Sequence, residues 1–160
     1  MTLKIAQFIA LVLSFLVGGV FWGTWFSLSR SISSLTTPTF LEIGRAIIAN
    51  LAAPMRILMP AAIVAAIGTL VLLPNKRSAA FYCTLLGAAL LVAALVITLS
   101  VNVPIDNQIR TWTVASLPAN WTELRERWET FHATRTFVSI AAFVLLLAGN
   151  LMSPNTLNRP

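Results

Sequence analysis

The chain carries one histidine, and its helical neighbours could do chemistry with it. Trp128, His132 and Arg135 stand at i, i+4 and i+7, so on a helix they share one face. Trp121, Arg125 and Ser139 fall near the same stripe. A neutral imidazole can take a proton from an acidic carbon or a phenol. A guanidinium beside it can hold the resulting oxyanion. The competing reading is structural: His132 and Arg135 pair with carboxylates such as Glu42 or Asp106. Glu123, Glu126, Arg127 and Glu129 fall elsewhere on the helix and read as a solvated face, with Glu123 and Arg127 spaced as an i,i+4 ion pair.

Other chemistries have too few residues. Glu129-x-x-His132 is half of a carboxylate di-iron motif, but a second Glu-x-x-His is absent. One histidine and one cysteine make a tight transition-metal or haem site an unpromising reading, so neither a metal nor a cofactor is expected. Cys83 lies in an apolar run without a thiol motif and reads as a small core residue. Asn102 and Asn107 flank Pro104, where they either satisfy backbone groups freed by the proline or point amides into a cleft. All five tryptophans, Trp22, Trp25, Trp112, Trp121 and Trp128, gather at one pole of a four-span bundle. They make either an interfacial belt or the walls of a cleft for a flat apolar ligand.

The helices that carry these residues follow from composition. Of 160 residues, 58% are hydrophobic and 10% charged, with a mean hydropathy of +0.84. Soluble domains are about 45–50% apolar and about 25% charged, and one small core cannot hide this much apolar surface. The chain therefore reads as an integral membrane protein, all-α, a four-helix transmembrane bundle with a long fourth helix extending beyond the membrane. The net charge is +6, but the basic residues form no run or face, so no nucleic acid partner is expected.

Span one runs from Leu3 to about Leu28 and carries Gly18 and Gly19-x-x-x-Gly23, a pattern for close helix packing or for a ligand lying against the backbone. Residues 29–37 are a polar loop. Thr37 then Pro38 predicts a helix start with Thr37 as N-cap, and the helix runs to Leu73 with Pro54 and Pro60 able to bend it. After the turn at 74–77, span three covers about Ala79 to Ser100. Asn102-Val103-Pro104 ends or kinks it, and a short helix from Ile105 to about Ala115 follows. Asn120 with Glu123 resembles a capping box, and from Trp121 one helix runs to about Leu151. Residues 1–152 are expected to form a single membrane domain and 153–160 a disordered tail.

Four spans put the N-terminus, the 74–78 turn and the C-terminus on one side with Lys4, Lys76, Arg77 and Arg159. Seven arginines and all five acids lie on the other side, mixed together in helical extensions. The short, purely positive segments favour cytoplasmic termini, here in a bacterial inner membrane.

The segment NVPIDNQIRTW, a proline-containing turn, and then W-x-x-L-R-x-R-W-x-x-x-H-x-x-R resemble the integral-membrane family that includes fungal anthrone oxygenases. The resemblance rests on Asn102, Pro104, Asn107, Trp121, Leu124, Arg125, Trp128, His132 and Arg135. It covers the second half of the chain well. Asp106 stands where many members carry a less acidic residue. The resemblance implies oxidation of anthrones to anthraquinones by molecular oxygen without a cofactor.

The residues and the resemblance together point to an oxygenase acting on a flat phenolic, anthrone-like or quinone-like substrate. His132 would be its base. Arg135, Asn102 and Asn107 would stabilise the anion, and the five tryptophans with Arg125 would bind the substrate. Two other readings stand beside it. One is a non-catalytic membrane protein binding a quinone, lipid or other small hydrophobic ligand. The other is a small transporter or assembly subunit, which would need a homo-oligomer to form a route.

Overall fold

The computed structural model describes residues 2–153. Met1 and residues 154–160, which include most of the expected tail, lie outside the described residues. Helix α1 covers Thr2–Thr24 and continues as a π turn over Trp25–Ser29. Helix α2 covers Thr37–Leu72. Helix α3 covers Ala79–Ile97, passes through a π turn at Thr98–Asn102 and continues as α4, Val103–Ile109. Helix α5 covers Trp121–Leu151. Single 3₁₀ turns at Ile32–Ser34 and Val114–Ser116 sit in the two longer connections.

The expected all-α architecture is found, with no strand among the described residues. Four helical rods, Thr2–Ser29, Thr37–Leu72, Ala79–Ile109 and Trp121–Leu151, are each long and apolar enough to cross a membrane. The protein is an integral membrane protein. The rods form a ring in which α1 touches α2 and α5, and α3 touches α5 and α2. Short connections leave consecutive rods antiparallel. The α3–α5 contact is the most extensive and the α2–α3 contact the slightest of the four. That inequality leaves room between α2 and α3 for a cavity.

Local chemistry moves several boundaries. Thr36, not Thr37, is the extended residue before α2, so Pro38 falls at the second helical position. A proline is tolerated there because the first-turn N–H groups have no intrahelical partner. Pro54 and Pro60 lie inside α2, which continues through both. The Asn120 side chain makes no capping bond, and the capping box forms instead between Thr113 and Ser116. Pro104 does not end the third rod. A proline inside an α-helix removes one bond and clashes with the carbonyl four residues back. The π turn at Thr98–Asn102 absorbs that misfit, and α4 then stops at Ile109, short of Ala115.

Two packed clusters follow the chain's polarity. Val17, Phe21, Met59, Ala62, Leu91, Ala94, Ala142 and Leu146 bury one another in the middle of the ring. Ile32, Phe40, Leu41, Ile105, Ile109, Trp112 and Trp128 form a second core at the pole that carries the long connections. The Gly19–Gly23 pair does not mediate close helix packing: a Cβ on either would meet nothing within 4 Å. The close approach falls at the α3–α5 seam. There a Cβ on Gly87 would meet Leu146 Cγ at 2.9 Å, and one on Gly149 would meet Thr84 Oγ1 at 2.6 Å. Ser153, expected in the tail, is buried.

Candidate functional site

α5 carries the polar stripe into the ring as its spacing predicts. His132 is 1% exposed and Arg135 7%, and Thr136 and Ser139 continue the buried face toward the middle of the bundle. At 1.5 Å per residue, His132 lies roughly 16 Å along α5 from Trp121.

Arg135 folds back onto His132. Its Nε and Nη2 donate to His132 Nδ1 at 3.1 and 3.0 Å, and its Nη1 donates to Thr98 Oγ1 at 3.1 Å. Thr98 opens the π turn of the third rod, so the irregular turn and the guanidinium are tied together. Arg135 Cζ also lies 4.4 Å from the centre of the Phe21 ring, a cation–π contact from α1. Neither Glu42 nor Asp106 comes within ion-pair distance of Arg135 among the described residues. The guanidinium is therefore held by an imidazole, a hydroxyl and a ring face.

This pattern fixes the histidine. A guanidinium has only donors, so Nδ1 must offer its lone pair. The ring is then neutral with its proton on Nε2. Nε2 is buried and has no hydrogen-bond partner among the described residues. A buried donor without a partner costs about 1–3 kcal/mol, so the arrangement asks for an acceptor that the protein does not supply. The His132 ring is held flat against Trp128, centroids 4.8 Å apart and 18° between planes, with the Phe21 edge 6.0 Å away.

Trp128 is the hinge of the second half of the site. Its indole Nε1 donates to Asp106 Oδ1 at 2.7 Å, and its carbonyl accepts from Asn102 Nδ2 at 3.1 Å. Asn102 is fully buried at the end of the π turn, and its Oδ1 has no partner. Asn102 and Asp106 are four residues apart, so both act on Trp128 from one face of the third rod.

These groups surround a half-enclosed cavity of about 190 Å³ between the rods. Its apolar walls are Phe21, Leu51, Met55, Met59, Leu95 and Trp128, with other aliphatic side chains of α2 and α3 between them. Its polar lining is Thr24, Thr98, Asp106, Asn107, His132, Arg135 and two exposed arginines, Arg56 of α2 and Arg110 just after α4. The volume exceeds the cavity of about 150 Å³ that takes up benzene. It falls short of the 300–1,000 Å³ typical of drug-sized sites.

Of the residues expected at the site, the structure places His132, Arg135, Asn107 and Trp128 on the cavity wall. Asn102 sits behind Trp128. The other tryptophans go elsewhere. Trp22 and Trp25 cluster with Phe26 and Phe137, and Trp22 is 40% exposed. Trp112 is buried in the second core, and its carbonyl accepts from Arg45. Trp121 packs on Phe40 and under the Arg125 guanidinium, 5.2 Å away. Arg125 itself faces Glu129 at 3.5 Å, too poorly aligned for a hydrogen bond; this replaces the expected Glu123–Arg127 pair.

Phe21, Thr98, Asp106, Arg56 and Arg110 were not legible as site residues. Phe21 had a usable signal, because Gln7, Ala10, Ser14, Val17 and Phe21 form one buried stripe of α1 while Trp22 is turned about 100° away. Asp106 had another, an acid inside a spanning rod.

A buried histidine–arginine pair, a carboxylate and stacked aromatic rings thus surround a cavity inside a four-rod membrane bundle. The family model described as anthrone oxygenase matches residues 48–145, well over half of the chain, and the chain belongs to that family. The match takes in the whole cavity lining except Phe21, Thr24 and Ile47. No curated protein and no solved structure matches the chain.

Proposed function

We propose that the protein is a membrane-embedded oxygenase acting on a flat phenolic, anthrone-like substrate that reaches the cavity from the lipid. What carries this reading is the buried Nε2–H of His132 without an acceptor, on the wall of an aromatic cavity that also holds a carboxylate. Family membership supports it.

The roles differ from those the sequence suggested. With Nδ1 engaged by Arg135, His132 has no lone pair to offer and is a donor. Its Nε2–H would hold the oxygen of an enolate or phenolate, with the Arg135 charge behind it. Asp106 keeps acceptor capacity beyond its bond to Trp128 and takes the part of general base.

Asp106 would remove a proton from the activated ring carbon and leave its electron pair in the enolate. The carbanion form of that enolate adds to dioxygen, forming a C–O bond and, after protonation, a hydroperoxide. Loss of the second proton from the same carbon, with O–O cleavage, gives the carbonyl and water. One dioxygen is consumed and one water released. The chain's residues bind the ring, move the proton and hold the anion. The termini and the turn at 74–78 are proposed to face the cytoplasm, in an inner membrane of bacterial type.

The test is oxygen consumption with anthrone as the probe in purified, reconstituted protein. Asp106→Asn should lower turnover about 100- to 10,000-fold, the usual loss for a general base. His132→Gln should lower it about 100- to 1,000-fold, as for a lost oxyanion donor. Near wild-type turnover in Asp106→Asn would remove the base assignment. Tight anthrone binding with no turnover at all would favour the non-catalytic ligand-binding reading.

A further inference from the structure

The mechanism above uses Asp106, His132 and Arg135 and leaves two charged cavity residues without work. Arg56 projects from α2 and Arg110 from the end of α4, and both line the same cavity from facing rods while remaining exposed to the outside. Among the described residues neither makes an ion pair or a side-chain hydrogen bond, whereas Arg45 is bonded to the Trp112 carbonyl and Arg125 faces Glu129. Arg30 and Arg127 at this pole also make no ion pair or side-chain hydrogen bond among the described residues, but neither lines the cavity, so it is their shared place on the cavity wall that sets Arg56 and Arg110 apart.

The cavity's charge is one-sided. Arg56, Arg110 and Arg135 oppose a single carboxylate, Asp106, and His132 is neutral by its tautomer. Three positive groups against one negative leave an excess of two. The two free cations sit at the exposed mouth, and the bonded one sits in the buried interior. Standing on the wall of one cavity, both guanidinium groups are placed to meet an anionic group of a molecule that enters it. Guanidinium forks match carboxylate oxygens in a planar, two-bond geometry. The walls between mouth and interior are apolar. The lining thus runs from anion-selective at the opening, through apolar walls, to a buried donor.

From this juxtaposition we infer that the ligand is an aromatic acid: a planar ring system in the cavity with a carboxylate held between Arg56 and Arg110 at the mouth. The inference rests on the proposed aromatic cavity but concerns a separate part of the molecule. It makes the arginine pair the specificity determinant. The pair admits ring systems bearing an anionic substituent and orients them with the opposite edge toward His132 and Asp106.

The test uses anthracene-2-carboxylate and its neutral amide as fluorescent probes, with protein in phosphatidylcholine nanodiscs. Wild-type protein should bind the acid at least about tenfold more tightly than the amide, the factor expected for a charge-assisted pair. The double variant Arg56→Gln/Arg110→Gln should bring the two affinities together. Arg56→Lys/Arg110→Lys should recover part of the preference through charge alone. Arg127→Gln, an exposed arginine outside the cavity, should keep the full preference and controls for net charge.

Equal affinity for acid and amide in wild type would overturn the inference while leaving the aromatic cavity in place. A preference that survives the double glutamine variant would overturn it equally. Binding of neither probe would remove the cavity reading and the arginine clamp together. Repeating the series in phosphatidylglycerol nanodiscs separates the two sources of an anionic group. A retained difference between wild type and variant supports the ligand's own carboxylate. Its disappearance only in that lipid would assign the arginines to a net-anionic lipid headgroup and overturn the assignment to substrate.

Discussion

At the scale of the residue, one hydrogen-bond pair decides the chemistry. Two N–H groups of Arg135 on His132 Nδ1 leave the ring proton to Nε2, and on this the proposed role of His132 as a donor rests. The single histidine makes this directly readable. In protein carrying no histidine tag, nitrogen NMR of the labelled ring should show a protonated Nε2 and a bare Nδ1. Arg135→Gln removes both donors and should produce a mixture of tautomers. A wild-type ring protonated on Nδ1 would sink the donor role. Asn102 makes a more modest contribution, a buried bond from Nδ2 to the Trp128 carbonyl. Asn102→Ala should cost about 1–2 kcal/mol through the lost bond and the space left behind. It should also loosen Trp128, seen as a change in the indole fluorescence of a protein that remains folded.

At the scale of the element, the informative features are irregular. The π turn at Thr98–Asn102 re-aims the third rod so that Thr98 meets Arg135 and Asn102 meets α5. π turns inside helices often sit at functional sites. The α3–α5 seam shows the opposite quality, close contact with no slack. Gly149→Ala would drive a methyl group against Thr84 Oγ1 and the Ala80 carbonyl, and neither backbone nor a packed threonine can give way easily. Such overpacking costs about 1–3 kcal/mol. Gly19→Ala, with nothing within 4 Å, should be neutral. Thermal unfolding of the two variants in one detergent checks both. A destabilising Gly19→Ala would show that this face is covered in the membrane.

At the scale of the molecule, α5 is 31 residues, about 46 Å at 1.5 Å per residue, against a hydrocarbon core of about 30 Å. The surplus falls at the pole with the long connections, where α5 is polar from Trp121 to Arg135. The cavity therefore belongs to one end of the bundle, near the boundary of lipid and water. The proposed orientation, with the termini in the cytoplasm, rests on the short basic segments at the other end. In a Cys83→Ser background, Ser34→Cys should react with an impermeant thiol reagent added outside intact cells, and Lys76→Cys should be protected. Both positions are exposed. The reverse labelling would put the cavity at the cytoplasmic side.

Hydropathy determined the four rods by itself, because a bilayer demands about 20 apolar residues per crossing and the chain offers four such stretches. Helical spacing also determined that Trp128, His132 and Arg135 share a face, and the cost of charge in lipid pointed that face inward. Spacing on one helix says nothing of what the neighbouring helices present. So the tertiary structure alone decided that Phe21, and not Trp22 or Trp25, meets the histidine. It alone brought Asp106 to the indole of Trp128. It alone set the free Arg56 and Arg110 on one cavity. The number of tryptophans at one pole was legible, but their roles were not, since a turn of about 100° per residue separates a cavity wall from a lipid-facing surface. Which nitrogen of His132 carries the proton depended on a partner three residues away folding back rather than reaching across, a choice made by the packing around Thr98 and Phe21.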